Sequence, residues 1–581
     1  MKKLLKSVLC VFLILLLVLP AALSAMANTG DGLSVWVAAD LHYRPQSALE
    51  PIETQNNLPG DPLYSHVNTK SMLTYEADAI IDEFLSRFEA SSVDYLLIPG
   101  DLSEDGHWVE HLAIAQKLRD FKARSGKKIY LIPGNHDIRT SASKNRLDLS
   151  DFLEIYSDIG YDDTLARHDG TASYTAELDG KYRLLAIDAC IYREDGAEIG
   201  PDLLAWVEEQ TITAKRDGKM LVGMIHHHLL EHFSIEGIAG NLLCVDNYRS
   251  LAEQFADWGI KCFFSGHGHA NDISAATTKK GNRIFDIETG CLITYPNAYR
   301  EVRFSDAAVD IETKYVDKVD ISLLPDGYSG EQLELIENDF PAYSYGYFKA
   351  GIRSFAYEVP FAVNKIAKSL KIKEGTVQHN ALNEVMNTLG EALKLPLYDD
   401  EGTPETDSVE EIAQMAGISI ERSDYRDVLE IAGAVYAGHY AGDENIDFNS
   451  LEVRLLGQGL NAVLVYAFMN IPLRTANILF AQLGIQSSGF SINDSIYGLA
   501  AKKIYMKSAA KIIVNSLIRS VADGIINDFS APGDLNVSLE PYGETHTLTG
   551  PTVAITNASY IFSIIFRFIM AFINSLKAFM M

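Results

Sequence analysis

The chain has 581 residues, 47% hydrophobic and 22% charged, which excludes a disordered polymer and exceeds what one hydrophobic core usually supports. Two domains are therefore expected. A formal net charge of −29 excludes a nucleic-acid polymer as the expected partner, because gripping a phosphate backbone needs a basic surface. A small anionic substrate stays compatible, since bound cations can reverse the local field.

Lys2, Lys3 and Lys6 precede an apolar run from Val8 to Leu23, and Ala25-Met26-Ala27 follows as a small-residue cleavage pattern. Residues 1–27 read as a signal peptide, with a retained anchor as the competing reading, and the mature chain is expected to be secreted. Cys10 would leave with that segment. Cys190, Cys244, Cys262 and Cys291 show no Cys-x-x-Cys spacing, and buried free thiols rather than disulfides are expected.

Leu33–His42 reads as a first strand with a polar tip. Tyr43–Thr69, with Pro45, Pro51, Pro59 and Pro62, reads as a long loop placed to overhang whatever that tip builds. Tyr75–Phe88 has helical spacing, Val93–Asp101 is a second strand, His111–Phe121 a second helix and Ile129–Asp137 a third strand. Alternation of this kind is the α/β signature. Asp151–Ile159 reads as helix, Tyr182–Ile191 as strand, Leu203–Lys219 as helix and Leu251–Gly259 as helix. Arg283–Val316 alternates like antiparallel strands.

The Pro/Gly patch Leu324–Ser329 marks a domain boundary, so residues 28–325 form the first domain. Residues 330–555 read as a mostly helical second domain of unassigned role, on the apolar periodicity of Phe361–Leu370, Leu382–Leu393, Val428–Tyr440, Leu451–Phe468 and Ile496–Ile525. Asp399–Glu411 is an acidic connector, and Ala531–Ile555 is turn-rich or extended. His439, at a helix end, is read as structural rather than as a ligand. Residues 556–581 form an apolar tail in which Ser563, Arg567, Asn574 and Lys577 share a helical face. That stripe favours a helix lying in a membrane interface; a spanning helix and ordinary packing on its own domain stay open.

Five apolar runs end in Asp, Asn or His: VWVAADLH to His42, YLLIPGD to Asp101, IYLIPGNHD to Asp137, LVGMIHHH to His228 and CFFSGHGH to His269. Strand ends along one edge of an α/β sheet are where ligands bind. Imidazole with carboxylate or amide oxygen is the donor set of first-row transition metals. The tips supply Asp40, His42, Asp101, Asn135, His226, His267 and His269, and a metal centre is the expected outcome.

In order, Asp40-Leu41-His42, Gly100-Asp101, Gly134-Asn135-His136-Asp137, His226 and Gly266-His267-Gly268-His269 resemble the calcineurin-like metallophosphoesterase superfamily over roughly Leu33–Val316. The resemblance implies a four-layer αββα sandwich, here followed by the mostly α-helical C-terminal domain. It also implies two divalent or trivalent transition-metal ions (Mn, Fe or Zn): one held by Asp40, His42 and His269, the other by Asn135, His226 and His267, with Asp101 bridging. His228 stands where such proteins commonly carry proline.

More narrowly, Gly100–Gly106, Tyr156–Tyr161 and His226–Leu229 look like the secreted Gram-positive branch related to class III cyclic-nucleotide phosphodiesterases. The implied activity is hydrolysis of a small phosphodiester by a metal-bridging hydroxide, with His136 on the leaving oxygen. A phosphomonoesterase or nucleotidase, and a cell-envelope phosphoesterase in contact with the membrane surface, are the alternatives. Purple acid phosphatases carry a tyrosine ligand three residues after the bridging Asp. Glu104 occupies that place here and is expected to support His136 with its carboxylate.

Overall fold

The computed structural model describes residues 32–470, apart from 53–61, 65, 69, 140–145, 194–195, 234–235, 237–242, 306–307, 359–362, 364–366, 368–371, 400–401, 403–406, 443–445 and 448, together with residues 533–539. The signal-peptide reading of residues 1–27, the helix at Ile496–Ile525 and the tail at 556–581 fall outside the described residues. Among those described, no helix is long and apolar enough to cross a membrane.

Two sheets face each other. The first runs in the order β13 (Asn536–Leu539), β12 (Val309–Tyr315), β11 (Ala298–Phe304), β1 (Ser34–Val37), β2 (Tyr95–Ile98), β3 (Lys128–Leu131). The second runs β4 (Thr164–Arg167), β5 (Tyr174–Glu177), β6 (Tyr182–Ile187), β7 (Met220–Ile225), β8 (Cys262–Ser265), β10 (Arg283–Glu288), β9 (Asp272–Thr277). Helices α1 (Ala77–Ala90) and α2 (Trp108–Ser125) belong to the first half, with the short α3 (Leu149–Ile155) beside α2. Helices α4 (Pro201–Arg216) and α5 (Tyr248–Asp257) belong to the second.

Strand periodicity explains the layering. Successive side chains point to opposite faces. Leu184, Ala186, Val222, Met224, Cys262 and Phe264 therefore enter the core between the sheets. The intervening Leu185, Ile187, Leu221, Ile225 and Phe263 pack under Leu203 and Val207 of α4 and Leu251 and Phe255 of α5. Strands buried on both faces read as unbroken apolar runs, which is why these were visible in the sequence. On the first sheet Trp36 meets Phe84 and Phe88 of α1 and Tyr299 of β11, at ring centroids 5.9, 5.3 and 4.7 Å away.

The C-terminal region is helical: α6 (Gly330–Asn338), α7 (Phe340–Glu358), α8 (Val377–Leu393), α9 (Val409–Ala416), α10 (Val428–Ala441) and α11 (Leu451–Asn470). Ser329, Thr376, Ser408 and Asp427 cap α6, α8, α9 and α10 by accepting backbone N–H bonds, which fixes where each helix starts. Leu382, Met386, Ile412, Val428, Ile431, Leu455 and Val463 form a separate buried cluster. Helix α7 ties it to the sandwich: Tyr343, Tyr347 and Ala350 lie in the sandwich core, whereas Ala356 joins the helical cluster.

The described part of the Tyr43–Thr69 loop runs along these helices. Leu63 O accepts a bond from Gln332, Asn68 donates to the Tyr347 hydroxyl, and Gln46 donates to Leu323 O. The stretch from 53 to 61 within it lies outside the described residues. The four cysteines Cys190, Cys244, Cys262 and Cys291 are free thiols. His439, on the last turn of α10, packs edge-on against Phe233 and stacks on Tyr436.

Candidate metal centre

The five tips belong to two sheets rather than to one. Asp40 and His42 follow β1, Asp101 follows β2 and Asn135 follows β3, all parallel neighbours in the first sheet. His226 follows β7, and His267 and His269 follow β8, parallel neighbours in the second. Backbone bonds hold neighbouring tips together: Asp40 N to Gly100 O, His42 N to Asp101 O, and Gly266 N to His226 O.

The chain is bent hard at these ends. Asp40, His42, Asp101, His267 and His269 have φ of 52, 38, 48, 76 and 65°. Left-handed backbone is costly for residues with a side chain and concentrates where function demands it. The motif glycines have a different reason. A Cβ on Gly134 would sit 2.1 Å from Asp101 Oδ1, and one on Gly266 would sit 2.5 Å from Asp40 Oδ2. Only glycine lets the backbone pass this close to the carboxylates.

All seven predicted ligands lie in this buried cleft. His42 Nε2 is 3.1 Å from His269 Nε2, and His269 Nε2 is 3.8 Å from Asp40 Oδ1. His226 Nε2 is 2.9 Å from Asn135 Oδ1. Asp101 Oδ2 stands between the two sets, 3.5 Å from His42 Nε2 and 3.3 Å from His226 Nε2. Its Oδ1 is occupied by the His136 amide at 2.8 Å. Ligands held about 2.0–2.2 Å from a shared ion lie roughly 3–3.5 Å apart, so these separations fit two adjacent cations bridged by Asp101. Asp40, His42 and His269 form one candidate metal-holding group, and His226 with His267 forms part of another.

Surrounding contacts orient the ligands. His226 Nδ1 donates to Pro99 O at 2.9 Å, which directs Nε2 inward. Both Asp40 oxygens accept from the His267 amide at 3.0 Å. The electrostatics of the donor set also call for cations. Burial lifts Asp40 well above the usual carboxylate range. Burial would do the same to Asp101, but His226, His136 and His42 hold it well below. Burial likewise opposes a charge on His226, yet Asp101 and Asp40 push it up to about 9. Such opposed shifts on adjacent groups mark a site where protons stand in for bound cations.

Three residues around the ligands carry information the sequence reading lacked. Asp137 accepts from the Gly134 and Leu102 amides with Oδ2, and from the Ser103 amide and hydroxyl with Oδ1. It therefore clasps the Gly-Asn-His turn to the Gly-Asp loop. Its place inside Gly134–Asp137 was the available signal. His227 completes the group that holds His226 and His267, with its ring 4.1 Å from that of His267. Glu104 departs from expectation. His136 Nδ1 donates to the backbone carbonyl of Glu104 at 2.7 Å, whereas the Glu104 carboxylate takes Lys70 at 2.8 Å and faces His42 Nδ1 at 3.6 Å. The polar turn at 103–106 brings the carbonyl, not the side chain, under His136.

His136 itself sits over the site, its ring 4.8 Å from that of His42. A carbonyl can only accept, so Nδ1 carries the proton and Nε2 is the nitrogen left for exchange. Burial draws His136 down to about 3, so the free ring is neutral.

Residues 33–271 match the family model described as calcineurin-like phosphoesterase. Among solved structures, a dimetal phosphatase from Danio rerio is similar at 11% identity, covering 48% of this chain and 95% of that one with a TM-score of 0.34. A purple acid phosphatase from yellow lupin seeds is 11% identical over 49% of this chain and 52% of that one, with a TM-score of 0.31. A phosphopantetheinyl hydrolase from Mycobacterium tuberculosis is 12% identical over 45% and 91%, with a TM-score of 0.24. No curated protein matches the chain. The αββα sandwich and its buried His/Asp cluster define a metal-dependent phosphoester hydrolase. The family model covers less than half of the chain, and over residues 33–271 the chain is similar to the calcineurin-like phosphoesterases.

Proposed function

We propose that the protein is a phosphodiesterase acting outside the cell on a small phosphodiester such as a cyclic nucleotide. One observation carries the preference for a diester over a monoester. The two cationic side chains that bear on His136 are already matched: Lys70 by Glu104 at 2.8 Å and Arg139 by Asp105 at 3.1 Å. Asp105 also takes Arg146. The positive charge offered to substrate then comes chiefly from two dications, and Asp40, Asp101 and the attacking hydroxide together would reduce their four charges to about one. A phosphodiester carries one negative charge and a monoester close to two, so the singly charged ester is the better match.

When bound, the ions supply Lewis acidity for the phosphoryl group and lower the pKa of the attacking water. The chain's own residues do the rest. Asp40, His42 and His269 would hold one ion, Asn135, His226 and His267 the other, and Asp101 both. His136 holds its Nδ1 proton on Glu104 O, which leaves Nε2 as an acceptor in the neutral ring; it would act on the leaving oxygen only after an anionic substrate has drawn a second proton onto Nε2, which that oxygen then takes. Action outside the cell rests on the signal-like Lys2–Ala27 segment.

The test is a paired assay of the purified chain with Mn²⁺ on bis-p-nitrophenyl and p-nitrophenyl phosphate, followed by 2′,3′- and 3′,5′-cyclic nucleotides. Faster turnover of the diester is expected. A monoester preference would replace this reading with that of a phosphomonoesterase.

A further inference from the structure

Behind the Gly266–His269 loop lies a second buried cluster. His228 and His232 come from the segment after β7. Asp286 and Glu288 lie two apart on β10 and so share a face, and Asp272 on β9 pairs directly with Glu288 in the antiparallel register. Glu236 completes the group. All six residues are buried, from 0 to 6% exposed.

The two histidines are arranged as metal ligands are. His228 Nδ1 contacts Glu236 Oε1 at 2.9 Å, and His232 Nδ1 contacts Asp272 Oδ1 at 2.5 Å. A ligating histidine characteristically gives its other N–H to a carboxylate, which leaves Nε2 of His228 for an ion; on His232 the nitrogen nearest Glu288 Oε2 is Nδ1, at 3.9 Å. His228 Nε2 faces two oxygens, Gly266 O at 2.9 Å and Glu288 Oε2 at 3.4 Å. One proton can satisfy only one of them. His232 Nε2 makes no hydrogen bond among the described residues and lies 3.5 Å from Asp286 Oδ2. Asp286 is itself taken, by the Leu229 and Leu230 amides and the Ser265 hydroxyl.

Charge points the same way. Four carboxylates, Glu236, Asp272, Asp286 and Glu288, surround two imidazoles. With both rings protonated the carboxylates still exceed them by two. Arg300, the nearby buried guanidinium, gives its bonds to Glu288 O, Asp534 O and Thr313, but its charge bears on Asp272 and Glu288 and brings the excess down to about one. On the C-terminal side, His439 bears on Asp272. Unbalanced buried charge is expensive, and a dication within the cluster would offset it.

We propose that His228, His232 and Glu288 hold a third transition-metal ion, separate from the dinuclear pair. One donor atom from each lies within 4.8 Å of the others, and two imidazoles with a carboxylate suit Zn²⁺, Mn²⁺ or Co²⁺. The site braces the loop that carries His267 and His269. Glu288 Oε1 accepts from the Ala270 amide at 3.1 Å, and a Cβ on Gly268 would meet Glu288 Oε1 at 2.3 Å and His228 Cε1 at 2.9 Å. The proposal uses none of the seven ligands of the dinuclear reading.

The experiment is elemental analysis of the full chain after chelator stripping, reloading with Co²⁺ and dialysis. Three equivalents are expected for the wild type and two for His232→Ala and for Glu288→Gln. Asp101→Asn, which disables the pair, is expected to keep one. Wild type at two equivalents with both cluster variants also at two would overturn the third site. Should the cluster variants fail to fold, Asp101→Asn retaining no Co²⁺ would overturn it.

Discussion

Asp137 offers the sharpest test of how the site is held. Asp137→Ala leaves the amides of Leu102, Ser103 and Gly134 and the Ser103 hydroxyl without their acceptor. Each stranded buried amide costs about 1–3 kcal/mol, so the three together cost roughly 3–9 kcal/mol. That is comparable with the whole stability of a domain, about 5–15 kcal/mol. Asp137→Asn keeps one oxygen, and the milder arrangement strands only the Ser103 amide and hydroxyl, for about 1–3 kcal/mol of amide loss. Guanidinium unfolding followed by tryptophan fluorescence, to which the core residue Trp36 contributes, should rank wild type above Asn and Asn above Ala. Metal content should fall in the same order, because the clasp sets the distance between Asp101 and Asn135. An alanine variant within about 1 kcal/mol of wild type that still carries both ions would refute the clasp argument.

Other expectations follow from the same geometry. His136→Ala should retain both ions by elemental analysis and lose about 10²–10⁴-fold in kcat on a diester chromogen; unchanged turnover would remove His136 from the chemistry. Gly134→Ala places a methyl 2.1 Å from Asp101 Oδ1 and should cost about 1–3 kcal/mol of stability together with metal affinity, read by unfolding and by Mn²⁺ titration. Glu76 is buried at the foot of α1; burial alone would raise its pKa, but bonds from His66, Tyr343 and Tyr328 hold it below the ordinary value of 4.5. The stability it contributes is present above that value and is lost as pH falls through the lower folded pKa. Acid unfolding should therefore be less steep below pH 4.5 in Glu76→Gln, which cannot titrate; identical acid limbs would contradict this.

The site was legible because parallel strands buried on both faces write themselves as apolar runs, and each run stops at a polar tip. Partition of those strands between two sheets was not legible from the runs, since an apolar stretch does not say which neighbour it joins. Strands β4 (TLAR) and β5 (YTAE) escaped the periodicity reading because neither is an apolar run, although the Asp169-Gly170 turn between them was a usable hairpin signal. Glu104 was misplaced for a local reason. Sequence gives its position, but only the turn decides whether side chain or carbonyl reaches His136. The cluster around His228 and Glu288 joins residues far apart in the chain, and no local pattern connects them.

Strand β13 has a consequence for how the molecule is made. Asn536–Leu539 hydrogen-bonds to β12 in register with Val309–Glu312, and just before it Asp534 accepts from the Ile273 amide while its carbonyl takes Arg300. The margin of the phosphoesterase sheet is thus sealed by residues made more than two hundred positions after β12. Until a ribosome has passed that point, β12 presents a bare border that invites pairing with other chains. A stop codon anywhere in the preceding helical region should therefore yield a sticky, aggregating fragment rather than a trimmed enzyme, although every proposed ligand of the dinuclear centre lies upstream of it.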